Sequence, residues 1–198
     1  MKLVFCTNNQ HKLQEVSQIM EGKIQFLSLR DIGYDAEIPE PYATLSENSK
    51  YKSQQVKNAT GYNYCFSEDT GLFIESLNGE PGVFSARYAG ENANSKENIE
   101  KVLHLLGDAP NRNAYFKTVI TLLLDNETHQ FEGICKGEIT HQEMGEDGFG
   151  YDPIFIPMGY KQSFAQLSSE EKNTISHRGK AIALLIEYLN SHLPIRLS

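Results

Sequence analysis

Two carboxylates stand side by side in "FSEDTGL". Glu68 and Asp69 end an apolar run and directly precede Thr70-Gly71. Neighbouring carboxylates repel, and both ionise more readily with a cation between or beside them. A hard divalent ion with oxygen ligands suits such a pair, and magnesium is the usual companion of nucleotide phosphates. Read alone, the same residues also fit an acidic surface turn. A further acid, Glu40 in "EIPEPY", precedes a helix start of the form Thr44-x-x-Glu47, and Lys52 lies one turn past Asn48 on that helix. The plain alternative there is a capping Glu47 and a solvated Lys52.

Three more segments place polar residues where packing does not require them. In "KLVFCTNNQHKLQEV" an apolar run stops at Thr7-Asn8-Asn9, and a helical pattern with Lys12 one turn inside follows. A helix N-terminus at a strand end can receive phosphate on its unpaired N–H groups. The turn has no glycine, however, so it is neither a P-loop nor a dinucleotide fingerprint. By itself it also fits a capped surface helix. In "GEDGFGYDP", Gly148 and Gly150 flank Phe149, and Tyr151 and Asp152 precede Pro153. Such glycines let backbone approach a planar ligand while the ring stacks on it, or make a tight turn over a core phenylalanine. In "EEKNTISHRGKA", Lys172 and Ser176-His177-Arg178 crowd the start of the last helix. Positive charge is disfavoured there, and an anion would relieve it.

The elements that must position these groups follow from periodicity. A buried strand is expected over residues 2–7, and a helix over 10–21 with Leu13, Val16, Ile19 and Met20 on one face. A second strand is expected over 24–28, a loop over 29–42, and a helix from Thr44 to about Ala59 that stops near Gly61. Two short runs, 64–67 and 72–77, read as strands interrupted by "EDTG", with turns at Asn78-Gly79 and Pro81-Gly82. Asn94 to Glu97 can cap a helix whose apolar face is Ile99, Val102, Leu103 and Leu106, stopped by Gly107. Strands are expected over 114–124 and 129–139, joined at Asp125-Asn126, and over 151–156. The tail, Ser176 to about Leu193, is an amphipathic helix with Ala181, Leu184, Leu185, Tyr188 and Leu189 inward. Strands and helices mix without strict alternation, which predicts an α/β or α+β fold with a mixed sheet.

A chain of 198 residues suffices for one domain, or two closely packed lobes, with a sizeable core. Its formal charge of −8 argues against sequence-independent binding of nucleic acid, which needs a basic field. A phosphorylated ligand would need local cations or a metal. No apolar run approaches a membrane span. The N-terminus lacks the basic-then-apolar pattern of a signal peptide, so the expected address is cytoplasmic. Cys6, Cys65 and Cys135 stand singly and form no CxxC, so buried free thiols are expected.

Taken in order, "TNNQHK", "SENSKYK", "EDTGL", "NGEPGVFSARYAG", "GFGYDPIF" and "EEKNTISHRGKA" resemble the inosine triphosphate pyrophosphatase family from Thr7 to Ala181. The resemblance implies an α/β protein of a single domain, residues 1–198, with a long mixed β-sheet flanked by helices and two lobes with a nucleotide cleft between them. It implies hydrolysis of ITP, dITP and XTP to the monophosphate and pyrophosphate, with Mg2+ as cofactor, and a homodimer. It implies that Thr7, Asn8, Asn9, Gln10, His11 and Lys12 hold the triphosphate, and that Lys52 and Lys172 contact phosphate or nucleotide. Glu40 and Asp69 match the metal-site acids, with Glu68 beside them. Asp69 also matches the general base, and Thr70 a substrate contact. Phe149, Gly150, Tyr151 and Asp152 match the base pocket, and His177 and Arg178 the residues that read the purine. Glu68-Asp69-Thr70-Gly71 stands where the family often has Asp-Asp-Ser-Gly, and Ser49 where it more often has alanine. Arg87 in "SARYAG" has no role assigned.

Overall fold

The structure is a computed structural model and describes residues 3–21, 23–92 and 94–192. Strand β1 (Leu3–Phe5) is buried throughout and shorter than expected, and Lys2 lies outside the described residues. The pairing nevertheless reaches Cys6, whose N–H donates to the Phe66 carbonyl at 2.7 Å. Asn9 caps helix α1 (Gln10–Met20), its side chain accepting the Lys12 N–H at 3.2 Å. Strand β2 (Phe26–Ser28) follows, and a 3-10 turn (Arg30–Ile32) lies within the expected loop.

Helix α2 (Leu45–Thr60) is capped by Thr44 and ends at Gly61, as its signals predict. The Glu47 carboxylate accepts from the Thr44 hydroxyl at 2.7 Å rather than closing a reciprocal capping box on the backbone. Helix α3 (Ser95–Leu106) does form the full box between Asn94 and Glu97.

The first correction concerns "EDTG". It does not interrupt two strands, because β3 (Tyr64–Ile74) runs straight through it. A strand can bury these acids because each finds a cation. Gly71 serves the sheet, since a Cβ there would stand 2.5 Å from the Gly82 carbonyl oxygen. Pro81-Gly82, expected as a turn, is strand β4 (Pro81–Gly82), antiparallel to β3 with Leu72 opposite Gly82.

Strands β5 (Asn113–Leu124) and β6 (Glu127–Ile139) meet at Asp125, which has φ 51°. The expected strand over 151–156 is displaced. Residues Asp152–Ile154 make a 3-10 turn, and β7 is Phe155–Pro157. Pro153 has no N–H for a ladder, and the Asp152 N–H bonds back to the Phe149 carbonyl at 3.3 Å. The last helical stretch is two helices, α4 (Ser169–Ile175) and α5 (His177–His192), broken at the extended Ser176. On α5 the buried stripe is Ala181, Ile182, Leu185 and Leu189, whereas Leu184, expected inward, is 44% exposed. Leu193 lies outside the described residues.

The sheet runs β2-β1-β3-β5-β6-β7, with β4 beside β3. The pairs β1–β2 and β1–β3 are parallel, and β3–β4 and β6–β7 antiparallel, so the sheet is mixed and the fold α/β as expected. The chain forms two compact units. The first comprises Met1–Asp69, Thr118–Gly133 and Arg178–Ser198, and the second Thr70–Lys117 and Ile134–His177.

In the first unit β1 is buried on both faces, which explains its continuous apolar run. Leu3 and Phe5 pack with Val16, Phe66, Ile120 and Leu185, and Phe5 stacks on Phe66 at 4.5 Å between ring centroids. Val4 and Cys6 pack on the other face with Leu29, Val56 and Cys65. The second unit has its own core, in which Leu72, Ile74, Ile99, Phe116, Phe155 and Phe164 meet. All three cysteines are buried free thiols. Among the described residues, no helix is long and apolar enough to cross a membrane.

Candidate active site

Along a strand, successive side chains point to opposite faces. Glu68 and Asp69, adjacent on β3, therefore take different ion-pair partners, although the Lys12 charge acts on both. Glu68 is the centre of one ion cluster. Arg178 Nε lies 2.8 Å from its Oε2 and Arg178 Nη2 lies 2.9 Å from its Oε1, while Lys12 Nζ lies 3.3 Å from Oε1. Arg178 Nη1 also pairs with Glu15 of α1. Asp69 belongs to a second cluster. Lys52 Nζ, on α2, lies 3.1 Å from Asp69 Oδ1 and 2.6 Å from Glu40 Oε1.

These groups are almost dry. Lys52 is 6% exposed, Glu68 2%, Asp69 3% and Arg178 2%. Burial alone would raise the Glu68 pKa, but the Arg178 and Lys12 charges outweigh it and hold the carboxyl at about 2. Burial likewise opposes ionisation of Glu40, yet Lys52 pulls that group down to about 2. Asp69 goes the other way. Its burial, aided by the Glu40 charge, exceeds the pull of Lys52 and Lys12 and raises its proton affinity. Lys52 is also raised, because Asp69 and Glu40 together overcome its own burial. The fork thus holds one firmly ionised acid, a firmly charged ammonium and one carboxyl with enhanced affinity for a proton.

Asp69 Oδ2 is buried and has no hydrogen-bond partner among the described residues. A buried carboxylate oxygen without a donor is costly unless something outside the protein meets it. It is the atom best suited to orient a water molecule or to ligate a hard cation. Among the described residues there is no cluster of three or more His, Cys, Asp or Glu able to enclose a metal. Magnesium does not need one, because it takes one or two carboxylates and fills its shell with water and phosphate oxygens. Glu40 and Asp69 fit that pattern. Glu68, included among the possible metal acids, does not, because both its oxygens are engaged by Arg178 and one also faces Lys12.

A buried hydroxyl network underlies the fork and was not foreseen from the sequence. Ser49 Oγ donates to Thr121 Oγ1 at 2.9 Å, and Ser53 Oγ donates to Ser67 Oγ at 2.7 Å. Ser67 in turn donates to the Ser49 carbonyl. The hydroxyl of Ser49, where the family resemblance expects alanine, thus ties α2 to β5, and the network holds Lys52 against Asp69. Glu15 was missed as well. Its signal was an acid between Leu13 and Val16 on the half-buried face of a helix that has no acid in its first turn.

The Thr7 to Lys12 turn presents its polar groups outward. Asn8, Asn9, Gln10 and His11 are exposed, and Thr7 and Lys12 half-buried. The Asn9 N–H donates to Thr7 Oγ1 at 3.2 Å, and Asn8 Nδ2 reaches the Ala36 carbonyl at 3.4 Å. Lys12 brings this turn to Glu68. Thr70 follows on β3 and is half-buried.

The second unit gathers a different set. Lys172 Nζ of α4 lies 2.7 Å from Asp152 Oδ2, which also accepts the Phe149 N–H at 2.8 Å. The same ammonium sits 5.1 Å from the Phe149 ring and 5.6 Å from the Phe164 ring. The His177 ring stacks on Phe116 with centroids 4.5 Å apart and planes 16° apart. Lys172, His177, Phe116 and Phe164 are buried, and the half-buried Phe149 ring is the member of this aromatic and cationic group that reaches toward water. Gly148 has φ +80°, and a Cβ there would meet Asp152 Oδ2 at 2.3 Å. Its lack of a side chain is therefore required by Asp152. Tyr151 turns into the core, and its hydroxyl donates to the Ser85 carbonyl at 2.8 Å. Burial pushes its pKa up. Arg87 lies over the Phe84 ring at 5.4 Å.

Arg178, expected from the resemblance to read the purine, turns three guanidinium nitrogens to Glu68 and Glu15, so the anions that relieve its position at a helix start include the protein's own.

The mixed α/β sheet buries adjacent acids against Arg178, Lys12 and Lys52, and its second unit sets Lys172 against aromatic rings, an arrangement of the class of α/β enzymes. The chain belongs to the Ham1 family, whose profile matches residues 3–188. It is 51% identical over 191 residues, 96% of this chain and all of the other, to a dITP/XTP pyrophosphatase of Flavobacterium psychrophilum. It is 47% identical over 189 residues, 95% of this chain and 97% of the other, to one from Porphyromonas gingivalis. Among solved structures, the Ham1 protein of Staphylococcus aureus superposes with a TM-score of 0.86 at 40% identity, covering 96% of this chain and 99% of that one.

Proposed function

We propose that this protein hydrolyses the purine nucleoside triphosphates ITP, dITP and XTP to the monophosphate and pyrophosphate, removing deaminated purines from the nucleotide pool. The observation that carries the reading is the buried Glu40–Lys52–Asp69 fork, with Asp69 Oδ2 left without a protein donor, in a chain so similar to dITP/XTP pyrophosphatases. We assign triphosphate handling to Thr7 to Lys12 and Lys52 in the first unit, and base and nucleotide contacts to Thr70, Phe149, Gly150, Lys172 and His177 in the second.

A nucleoside triphosphate carries about four negative charges near neutral pH. The N-terminal N–H groups of α1, Lys12 and Lys52 offset part of that charge. Magnesium bound to Glu40, Asp69 and phosphate would supply the remaining positive charge and lower the pKa of water. Asp69 orients a water molecule in line with the α–β bridge and takes its proton on Oδ2. The water oxygen bonds to the α-phosphorus, the bond to the bridging oxygen breaks, and pyrophosphate departs with the electron pair. Glu68 takes no proton. It fixes Lys12 and Arg178.

The base stacks on the half-buried Phe149 ring, which lies against the Lys172 ammonium. Hypoxanthine and xanthine present an acceptor oxygen at position 6, where adenine presents an amino donor. With the Phe149 N–H taken by Asp152, the backbone N–H of Gly150 satisfies the oxygen and leaves adenine's donor unmatched, a loss that gives large discrimination. Its action on free nucleotides and its acidic charge suit a cytoplasmic enzyme without nucleic-acid or membrane partners, and we expect a homodimer.

The test is pyrophosphate release from a panel of triphosphates in the presence of magnesium. ITP, dITP and XTP are expected to exceed ATP, GTP, dTTP and UTP in kcat/KM by orders of magnitude. Preference for dTTP or UTP would overturn the reading.

A further inference from the structure

The Glu40–Asp69 fork already contains a cation, and its position has a consequence for how metal enters. Lys52 Nζ lies 2.6 Å from Glu40 Oε1 and 3.1 Å from Asp69 Oδ1, and so bridges both acids. All three groups are largely withdrawn from water, with side-chain exposures of 8% for Lys52, 24% for Glu40 and 5% for Asp69. A divalent ion arriving alone would have to separate a buried ammonium from two carboxylates and would crowd a second cation against it in a poorly hydrated place. A divalent ion arriving on a triphosphate brings more negative charge than positive, and the displaced ammonium can turn to a phosphate oxygen.

We propose that Lys52 is the resident counter-ion of the Glu40–Asp69 fork and bars divalent metal from the free enzyme, so that metal binds only together with the nucleoside triphosphate. The proposal rests on the reading that magnesium joins these two acids during turnover, and the experiment separates the two.

Manganese(II), which takes the same oxygen ligands and is visible by electron paramagnetic resonance, is titrated into the full-length protein with and without an ITP analogue that has a methylene bridge between the α- and β-phosphates. The wild-type protein is expected to show no site of its own and to acquire one with the analogue, beyond the manganese that the analogue binds in solution. Lys52→Met, without nucleotide, is expected to show a manganese site that wild type lacks, and to melt at a higher temperature when manganese is added. Lys52→Arg, which keeps the charge, should remain blind to the metal. If Lys52→Met fails to fold, Lys52→Gln is read in the same way, since it removes the charge and keeps a hydrogen-bond donor. Equal manganese affinity of the wild-type protein with and without analogue would overturn the proposal. So would a folded Lys52→Met or Lys52→Gln protein that gains no affinity. Absence of a manganese site even with the analogue would instead overturn the magnesium reading, and the proposal with it.

Discussion

Glu68 and Asp69 are consecutive in the chain, yet their carboxylates serve opposite faces of β3. Glu68 meets Arg178 and Lys12, and Asp69 meets Lys52 in company with Glu40. The alternation of a strand thus divides an acidic pair into a structural acid that stays ionised and a reactive one whose proton affinity is raised.

Asp69→Asn is expected to keep the fold and lower kcat by roughly 10²–10⁴-fold. The amide still accepts from Lys52 but cannot take the proton from water. Circular dichroism and melting temperature check the fold, and pyrophosphate release checks the rate. A variant with most of its activity would remove Asp69 as base.

Lys12→Ala is expected to raise KM for ITP more than it lowers kcat, because it removes a cation from the phosphate end. Its Nζ also faces the buried Glu68 at 3.3 Å, so thermal stability should fall slightly, by about 1 kcal/mol, with Arg178 still holding Glu68.

Acid should unfold the first unit through Glu68. Burial would raise its pKa, but Arg178 and Lys12 hold it at about 2, below the ordinary 4.5. The unfolded chain takes up this proton near pH 4.5 and the folded chain only near pH 2. The stabilisation is therefore complete above pH 4.5 and is lost as pH falls toward 2. Glu40, also held at about 2, adds to the loss in the same window. Denaturant titrations from neutral to acid pH should show it, and Glu68→Gln should be less stable at neutral pH with a smaller further loss in acid.

Glu15→Ala should destabilise the protein by about 1–3 kcal/mol, because it leaves Arg178, 2% exposed, short of one partner. Glu15→Asp should restore only part of this. Equal melting temperatures for wild type and Glu15→Ala would show the ion pair to be without consequence.

Gly148→Ala should push Asp152 away, since the new methyl would overlap its carboxylate, and thereby release Lys172. KM for ITP should rise with less effect on kcat. Unchanged KM would show that the Asp152–Lys172 pair does not shape the base site.

Much of the architecture is local and therefore legible in order of residues. Thr44, Asn94, Gly61 and Gly107 mark helix ends through backbone chemistry that acts within one turn. The errors arise where a distant partner intervenes. "EDTG" carries the polarity of a loop, and only the buried cations beside Glu68 and Asp69 make it strand. Leu184 fits the helical stripe of α5, but Ile182 is the residue buried with Leu185 and Leu189.

By itself, the sequence determined the residue types of the site, most helix boundaries and the family, because motifs, caps and hydrophobic period are written over short spans. Only the tertiary structure decided which acid meets which cation. Residues 110 positions apart, Glu68 and Arg178, share hydrogen bonds, and Lys52 stands between acids from a loop and a strand. Such pairings depend on where whole elements pack and on how much water they exclude. That is why Lys52 reads as a solvated lysine in one dimension and is the buried counter-ion of the reactive carboxylates in three.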